Sequence, residues 1–364
     1  MHRKIVKIWR ERLVVRNFGP ISNLDIKFRP LTLFIGTQGS GKSTVAKLLT
    51  ICRNVQWWKQ LVEDAESDEV IKPFYYYNIS DYFESDSYIS YTVGDHHVEY
   101  KGGAFSVSLK GDGSQKDIRR ILYVLAERNL IGNLSEAIAS LWSADIPLSK
   151  PMLEYMSQFE RATQMFPRYE IPFFGVDYVK KGNKNMIELR DKKKILPMNA
   201  SSSGLQSAIP MLMIIDYALR SANYDSFVIE EPEQNLFPEN QREVLNFIAS
   251  RLAGGSDRQF VITTHSPYML SCLNVLMLAS KLDAEESVKA EVDKIVPPSN
   301  MINPDDVAAY SLDPNDEDGI YCKSLISEKT GMVSVNALDT ASLFIGEDFD
   351  RLARLYSKVL KSKK

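Results

Sequence analysis

The chain has 364 residues, 44% of them apolar, which is enough for a substantial core and, at usual domain sizes, for about two domains. Its 44 Lys and Arg nearly cancel 47 Asp and Glu, so no global field of either sign directs it to nucleic acid or to a membrane surface. Three scattered cysteines, Cys52, Cys272 and Cys322, suggest reduced core thiols rather than disulfides or a metal site, and no apolar stretch is long enough to span a bilayer; the reading is a cytoplasmic protein with no membrane partner.

Residues 12–16 and 24–28 read as two strands on either side of a Phe-Gly-Pro turn. A short apolar run at 31–35 has the character of a buried strand. Beyond residue 43, Val45, Leu48, Leu49, Cys52 and Val55 recur at helical spacing, in a helix that can run as far as the Trp57-Trp58 pair. An acidic, Tyr-rich stretch over 63–86 follows. Three candidate strands, 88–93, 97–100 and 104–109, are separated by Gly-Asp and Gly-Gly turns and form an antiparallel meander. Residues 117–165 read as helical, from Ile118, Ile121, Leu122, Val124 and Leu125, then Leu134, Ile138 and Leu141. Short strands near 177–179 and 186–189 precede a polar run at 199–204. Helix, strand, helix and strand then alternate over 205–221, 226–229, 239–252 and 259–263, which argues for a mainly parallel sheet flanked by helices. Pro210 inside the first of these helices implies a kink or a late start. The fold class expected is α/β, with the meander and a helical region inserted. Residues 1–55 and 170–275 would form the core, 56–169 the insertion, and 276–364 an extension packed on the core.

Residues 36–43 read Gly-Thr-Gln-Gly-Ser-Gly-Lys-Ser and satisfy the phosphate-loop pattern G-x-x-x-x-G-K-[ST] at every fixed position, between an expected strand and an expected helix. Wrapping backbone N–H groups around phosphate oxygens demands glycine where a Cβ would block approach or forbid positive φ. Gly36, Gln38, Gly39, Ser40, Gly41, Lys42, Ser43 and Thr44 are therefore the candidate nucleotide-binding residues. Lys42 would reach the β- and γ-phosphates of ATP, and the Ser43 hydroxyl would hold Mg²⁺. The apolar run 227–229 leads straight into Glu230 and Glu231. Carboxylates at the end of a buried strand beside such a loop can hold the metal and deprotonate the attacking water. His265 ends the next buried strand, where it could contact a γ-phosphate. Ser203 and Gly204 stand at a helix start, an anion-binding position.

Taken in order, these four signals resemble the ATPase head of the ABC and SMC-like superfamily, and within it the bacterial AAA, RecF- and OLD-like ATPases. An Asn17-Phe-Gly-Pro-Ile21 opening, a Glu-Glu-Pro-Glu box at 230–233 and a Thr-His-Ser-Pro box at 264–267 carry the likeness. The resemblance implies Lys42 and Ser43 on phosphate and Mg²⁺, Glu230 on the metal side, Glu231 as general base, and His265 as γ-phosphate switch. It also implies Ser203 and Gly204 as the signature that completes the ATP site of a second copy, with residues 234–237 in the D-loop. The protein would then be a homodimer or higher even oligomer closing around two ATP molecules. Gln158 and Gln164 are the candidates for the Q-loop glutamine. The signature reads Ser-Ser-Gly-Leu-Gln, and Phe237 stands where the family has aspartate.

For the output, the resemblance points to a regulatory ATPase acting on a separate effector, a nuclease or toxin, as in anti-phage systems of the Septu and retron-associated kinds. Trp57, Trp58 and Tyr75–Tyr77 are candidate anchors for that effector, with core packing the competing and favoured reading of the same aromatics. A DNA-repair or DNA-clamping ATPase of RecF or SMC type is the alternative, with nucleic acid bound through Lys180, Lys181, Lys192–Lys194 and the Lys-rich C-terminus. A transporter subunit is disfavoured by the signature and the Thr-His-Ser-Pro box. Residues 313–318 read as a solvated acidic loop, and His96-His97 as part of a hairpin.

Overall fold

The computed structural model describes residues 11–109, 120–134, 148–222, 224–255 and 257–334. Strands β1 (Glu11–Phe18), β2 (Ile21–Lys27) and β3 (Leu31–Gly36) lead into helix α1 (Lys42–Cys52). The helix does not continue to the Trp pair. Asn54 adopts an extended backbone and accepts hydrogen bonds from the N–H groups of Gln56 and Trp57, which starts a second helix, α2 (Val55–Glu63). After α3 (Lys72–Tyr76) come β4 (Phe83–Val93), β5 (His96–Lys101) and β6 (Ala104–Leu109). These three strands form the expected meander, and β1 and β2 extend it into a five-stranded antiparallel sheet of order β2-β1-β4-β5-β6.

Residues 121–125, expected as helix, form instead strand β7 (Ile121–Val124), followed by a 3-10 turn (Ala126–Leu130) and the short α4 (Ile131–Leu134). Ile118, Ile138 and Leu141, which belong to the same expectation, lie outside the described residues. The physical reason for the difference is pairing: β7 lies parallel to β12 (Ser226–Glu230), with Phe227 opposite Leu122 and Ile229 opposite Val124. A short apolar run beside a buried strand satisfies its backbone in the sheet. Helix α5 (Lys150–Met165) then leads to a four-stranded antiparallel sheet of β8 (Arg168–Ile171), β9 (Val176–Lys181), β10 (Lys184–Leu189) and β11 (Lys194–Pro197).

Helix α6 (Ser203–Arg220) begins at Ser203, with Pro210 in its interior. It precedes β12, α7 (Pro238–Ala253), β13 (Gln259–Thr264), α8 (Pro267–Leu282) and α9 (Lys289–Ile295). The chain then returns to the sheet as β14 (Val307–Leu312), parallel to β3, and β15 (Cys322–Ser324), antiparallel at the edge. The central sheet has the order β15-β14-β3-β13-β12-β7. Three of its strands thus come from outside the ranges read as the core: β7 from 56–169, and β14 and β15 from 276–364.

Side chains alternate across this sheet. Leu31, Leu33, Phe227, Ile229, Phe260 and Ile262 face one apolar cluster with α5 to α8, whereas Phe34, Val228 and Val261 face a second with α1, α2 and the five-stranded sheet. Both faces are covered, so the middles of β12 and β13 are apolar on both sides, and the charged Glu230 stands at the carboxyl end. Ligands of open parallel sheets bind at that carboxyl edge. Gly36, Glu230 and Thr264 all stand on it.

Candidate nucleotide-binding and hydrolysis site

The loop that leaves β3 is built on left-handed turns at Gly39 (φ 77°) and Gly41 (φ 89°), conformations open to glycine and strained for other residues. Nothing lies within 4 Å of the place a Gly39 side chain would occupy, so the hollow beneath it is open to a phosphate. Gly41 is the N-cap of α1, an 11-residue helix with no acidic residue in its first turn, and the loop therefore ends at an anion-favouring terminus. Gln38 is exposed at the tip, while Ser40 and Thr44 are buried. Lys42 bends back over the loop: its Nζ donates to the carbonyl oxygens of Gly36 at 2.9 Å and Thr37 at 2.8 Å. Burial pulls its pKa down, opposed by the nearby charges of Glu231, Glu233 and Glu230. These residues fit a bound triphosphate, since Lys42 can exchange loop carbonyls for phosphate oxygens.

Ser43 Oγ donates to Glu230 Oε2 at 2.7 Å, which joins the start of α1 to the end of β12. Glu230 is 3% exposed, and its other oxygen accepts from the Tyr123 hydroxyl of β7. Burial raises its carboxyl pKa, and the Tyr123 and Ser43 hydroxyls pull the other way. A hydroxyl and a carboxylate in this contact are a donor set suited to Mg²⁺ and its waters. Glu231 follows with φ 44°, its N–H donating to Thr263 O at 2.9 Å. Its side-chain Oε1 lies 3.2 Å from His265 Nε2, and both groups are partly open to solvent. Glu233 sits behind them, 7% exposed. Its Oε1 accepts from Thr264 Oγ1 at 2.6 Å and from the His265 N–H at 2.9 Å. Because β13 lies between β3 and β12, the histidine stands between the loop and the carboxylates.

The structure therefore brings together Lys42, Ser43, Glu230, Glu231 and His265. It does not link Ser203 or Gly204 to that loop by any hydrogen bond among the described residues. Ser203 is exposed at the first turn of α6, capped by Ser202. Gly204 is buried against the chain at 235–236: a β-carbon there would stand 2.6 Å from the Asn235 carbonyl oxygen and 3.0 Å from Leu236 Cδ2. Of the two Q-loop candidates, Gln158 donates to the Tyr224 hydroxyl at 2.7 Å within the core, and Gln164 is exposed on α5. Trp57 and Trp58 are 2% and 0% exposed and pack among Phe74, Phe105, Tyr91 and His96, so they are core residues rather than surface anchors. Tyr75 is 62% exposed.

Three site neighbours escaped the sequence reading. Tyr123 and Arg128 belong to the segment expected as helix. Tyr321, from the C-terminal region, donates to Ser40 O at 2.6 Å and fixes the loop from behind. For the first two, the available signal was a six-residue apolar run, 121–126, leading into Glu127 and Arg128 much as 227–229 leads into Glu230.

A strand–loop–helix cradle with a strand-end carboxylate on its serine and a carboxylate–histidine pair one strand away is the arrangement of a P-loop ATPase core. A family model described as the AAA ATPase domain matches residues 11–146 and 133–270, and the chain belongs to that family. The chain is also 21% identical over 320 residues to the OLD nuclease of Thermus scotoductus, a match covering 71% of this chain and 59% of the nuclease, so it spans well under two thirds of that relative. Among solved structures it is similar to an SMC head bound to the C-winged helix domain of ScpA, at 13% identity and a TM-score of 0.47, covering 88% of this chain and 98% of that one. The SMC head domain from Thermotoga maritima is similar at 14% identity and a TM-score of 0.39, covering 73% and 92%. Among the described residues no helix is long and apolar enough to cross a membrane.

Proposed function

We propose that this ATPase hydrolyses ATP with Mg²⁺ in a head-to-tail pair of copies, and that its nucleotide state controls a separate effector, a nuclease or toxin, in bacterial defence against phage. The observation that carries the reading is the contact of Ser43 with Glu230 beside the Glu231–His265 pair. It joins a triphosphate cradle to a base within reach of water. Lys42 and the loop N–H groups bind the β- and γ-phosphates, while Ser43 and Glu230 hold the metal side. Mg²⁺, when bound, supplies charge neutralisation at the phosphates. Glu231 orients the attacking water and takes its proton, and His265 senses the γ-phosphate. Ser203 and Gly204 of one copy complete the site of the other, which accords with the exposure of Ser203 in the first turn of α6. The γ-phosphate then favours the closed pair, and hydrolysis removes that preference.

Lys42→Ala is expected to abolish ATP binding. Glu231→Gln is expected to keep ATP binding, to lower turnover by about a hundredfold or more, and to accumulate dimer. ATP turnover and light scattering after size exclusion check both; normal turnover by the Glu231→Gln protein would remove Glu231 from the role of base. A second reading, direct action on DNA, draws on exposed lysines at both ends of the four-stranded sheet: Lys181 and Lys184 at one turn, Lys192, Lys193 and Lys194 at another. Tight duplex binding that falls steeply with salt would favour it.

A further inference from the structure

Beneath the Glu231–His265 pair lies a buried cation that no motif announces. Arg128, in the 3-10 turn after β7, is 0% exposed. Its Nη1 donates to the carbonyl oxygens of Leu125 at 3.1 Å and Glu230 at 2.5 Å, and its Nη2 to that of Glu231. Enclosing a guanidinium costs several kcal/mol unless its surroundings return the lost hydration. Here three carbonyls do so, within the field of the three glutamates of the 230–233 box.

Two of those carbonyls belong to the residues proposed for metal binding and proton removal. The Glu231 peptide is gripped on one side through its N–H, by Thr263 O, and on the other through its carbonyl, by Arg128. Between these anchors Glu231 holds φ 44°. Such a conformation costs a non-glycine residue on the order of 1 kcal/mol and persists only where its surroundings over-determine it. The turn breaks the strand alternation and presents the carboxylate to His265. Glu233 anchors the other partner through the His265 N–H, and its Oε2 is buried without a hydrogen bond, as is Arg128 Nε.

We infer that Arg128 is a positioning residue for hydrolysis: it locks the Glu230–Glu231 corner so that the Glu231 carboxylate meets His265, while Glu233 locks His265 from the opposite side. This rests on the assignment of Glu231 as base. Because Arg128 is enclosed behind the corner, it acts on the chemical step and not on nucleotide affinity.

Arg128→Lys keeps the cation with fewer donors, and Arg128→Met keeps bulk alone. ATP affinity, from fluorescent-nucleotide titration, is expected to stay within about threefold of the parent, while kcat falls about tenfold in Arg128→Lys and about a hundredfold in Arg128→Met, the scale of an ångström-sized misplacement. In nucleotide-free protein the His265 imidazole NMR signals, from one of only four histidines, should move in both variants in the direction produced by Glu231→Gln. Placed on Glu231→Gln, Arg128→Lys should change residual turnover by less than about twofold, since the carboxylate it positions is already gone. If Arg128→Met does not fold, Arg128→Lys carries the same readouts. Unchanged kcat with unmoved His265 signals, in a protein that Glu231→Gln inactivates, overturns the inference and leaves the base assignment standing. Affinity falling as far as kcat also overturns it. Normal turnover by Glu231→Gln overturns the base assignment itself.

Discussion

At the scale of single residues, the proposed metal side turns on how the buried Glu230 carboxylate is kept satisfied before a cation binds. Glu230 accepts one hydroxyl on each oxygen, from Ser43 and from Tyr123, and so remains satisfied without a metal. Tyr77 packs edge-on against the Tyr123 ring with centroids 5.4 Å apart, a contact that phenylalanine would preserve. Tyr123→Phe therefore removes one donor and little else. A buried acceptor left short of a partner costs about 1–3 kcal/mol, and the loss should appear where Glu230 must be anionic. The Mg²⁺ concentration for half-maximal ATP turnover is expected to rise about tenfold, equivalent to about 1.4 kcal/mol, with ATP affinity in the absence of metal unchanged. An unaltered Mg²⁺ requirement would reduce the Tyr123 hydroxyl to filling space. Lys42, Ser43, Glu230, Glu231 and His265 were legible in the sequence because each ends or follows an apolar run in a fixed pattern. Tyr123 and Arg128 were not, because a polar residue has no site until its element has a place.

At the scale of elements, the errors share one cause. Ile121, Leu122, Val124 and Leu125 suit one face of a helix as well as a buried strand, and only the partner β12 decides between them. In the same way β14 and its neighbour β3 are joined across some 270 residues of sequence by pairing alone, which local patterning cannot foresee. Where a local signal existed it was decisive, as with Asn54, whose side chain separates α1 from α2. Distant elements are also tied by Arg53, at the end of α1. Its guanidinium pairs with Glu11 of β1 at 2.7 and 3.0 Å, donates to Ser226 Oγ of β12 at 2.7 Å, and lies over the Phe28 ring, while Tyr91 of β4 donates to Glu11 at 2.6 Å. Arg53 and Glu11 are 0% and 3% exposed, so removing one partner strands a charge in the core. Arg53→Met is expected to lower stability by about 3–5 kcal/mol in urea unfolding, and Arg53→Met with Glu11→Gln to recover part of that loss. A single variant within about 1 kcal/mol of the parent would show that the network does not hold these elements together.

At the scale of the whole molecule, the proposed pairing demands a surface that is costly to leave in water and close to the signature. Phe237 meets both conditions. It is 77% exposed at the start of α7, makes no side-chain cap there, and ends the 234–237 segment whose Asn235 and Leu236 press on Gly204. An aromatic ring in that position gains nothing for the single copy, and its burial against a second copy contributes about 2 kcal/mol on each side of a symmetric pair. Phe237→Ala should leave the melting temperature of the nucleotide-free protein within about 1 °C, because Phe237 is an N-cap whose exposed side chain makes no capping hydrogen bond, and such side chains contribute little. Placed on Glu231→Gln, which holds ATP in the closed state, it should raise the dimer dissociation constant by at least about thirtyfold in sedimentation velocity. If Glu231→Gln alone stays monomeric in saturating ATP, the paired architecture is wrong. If it pairs and Phe237→Ala pairs as tightly, the pair forms through another face, and Ser203 and Gly204 lose their place opposite the loop.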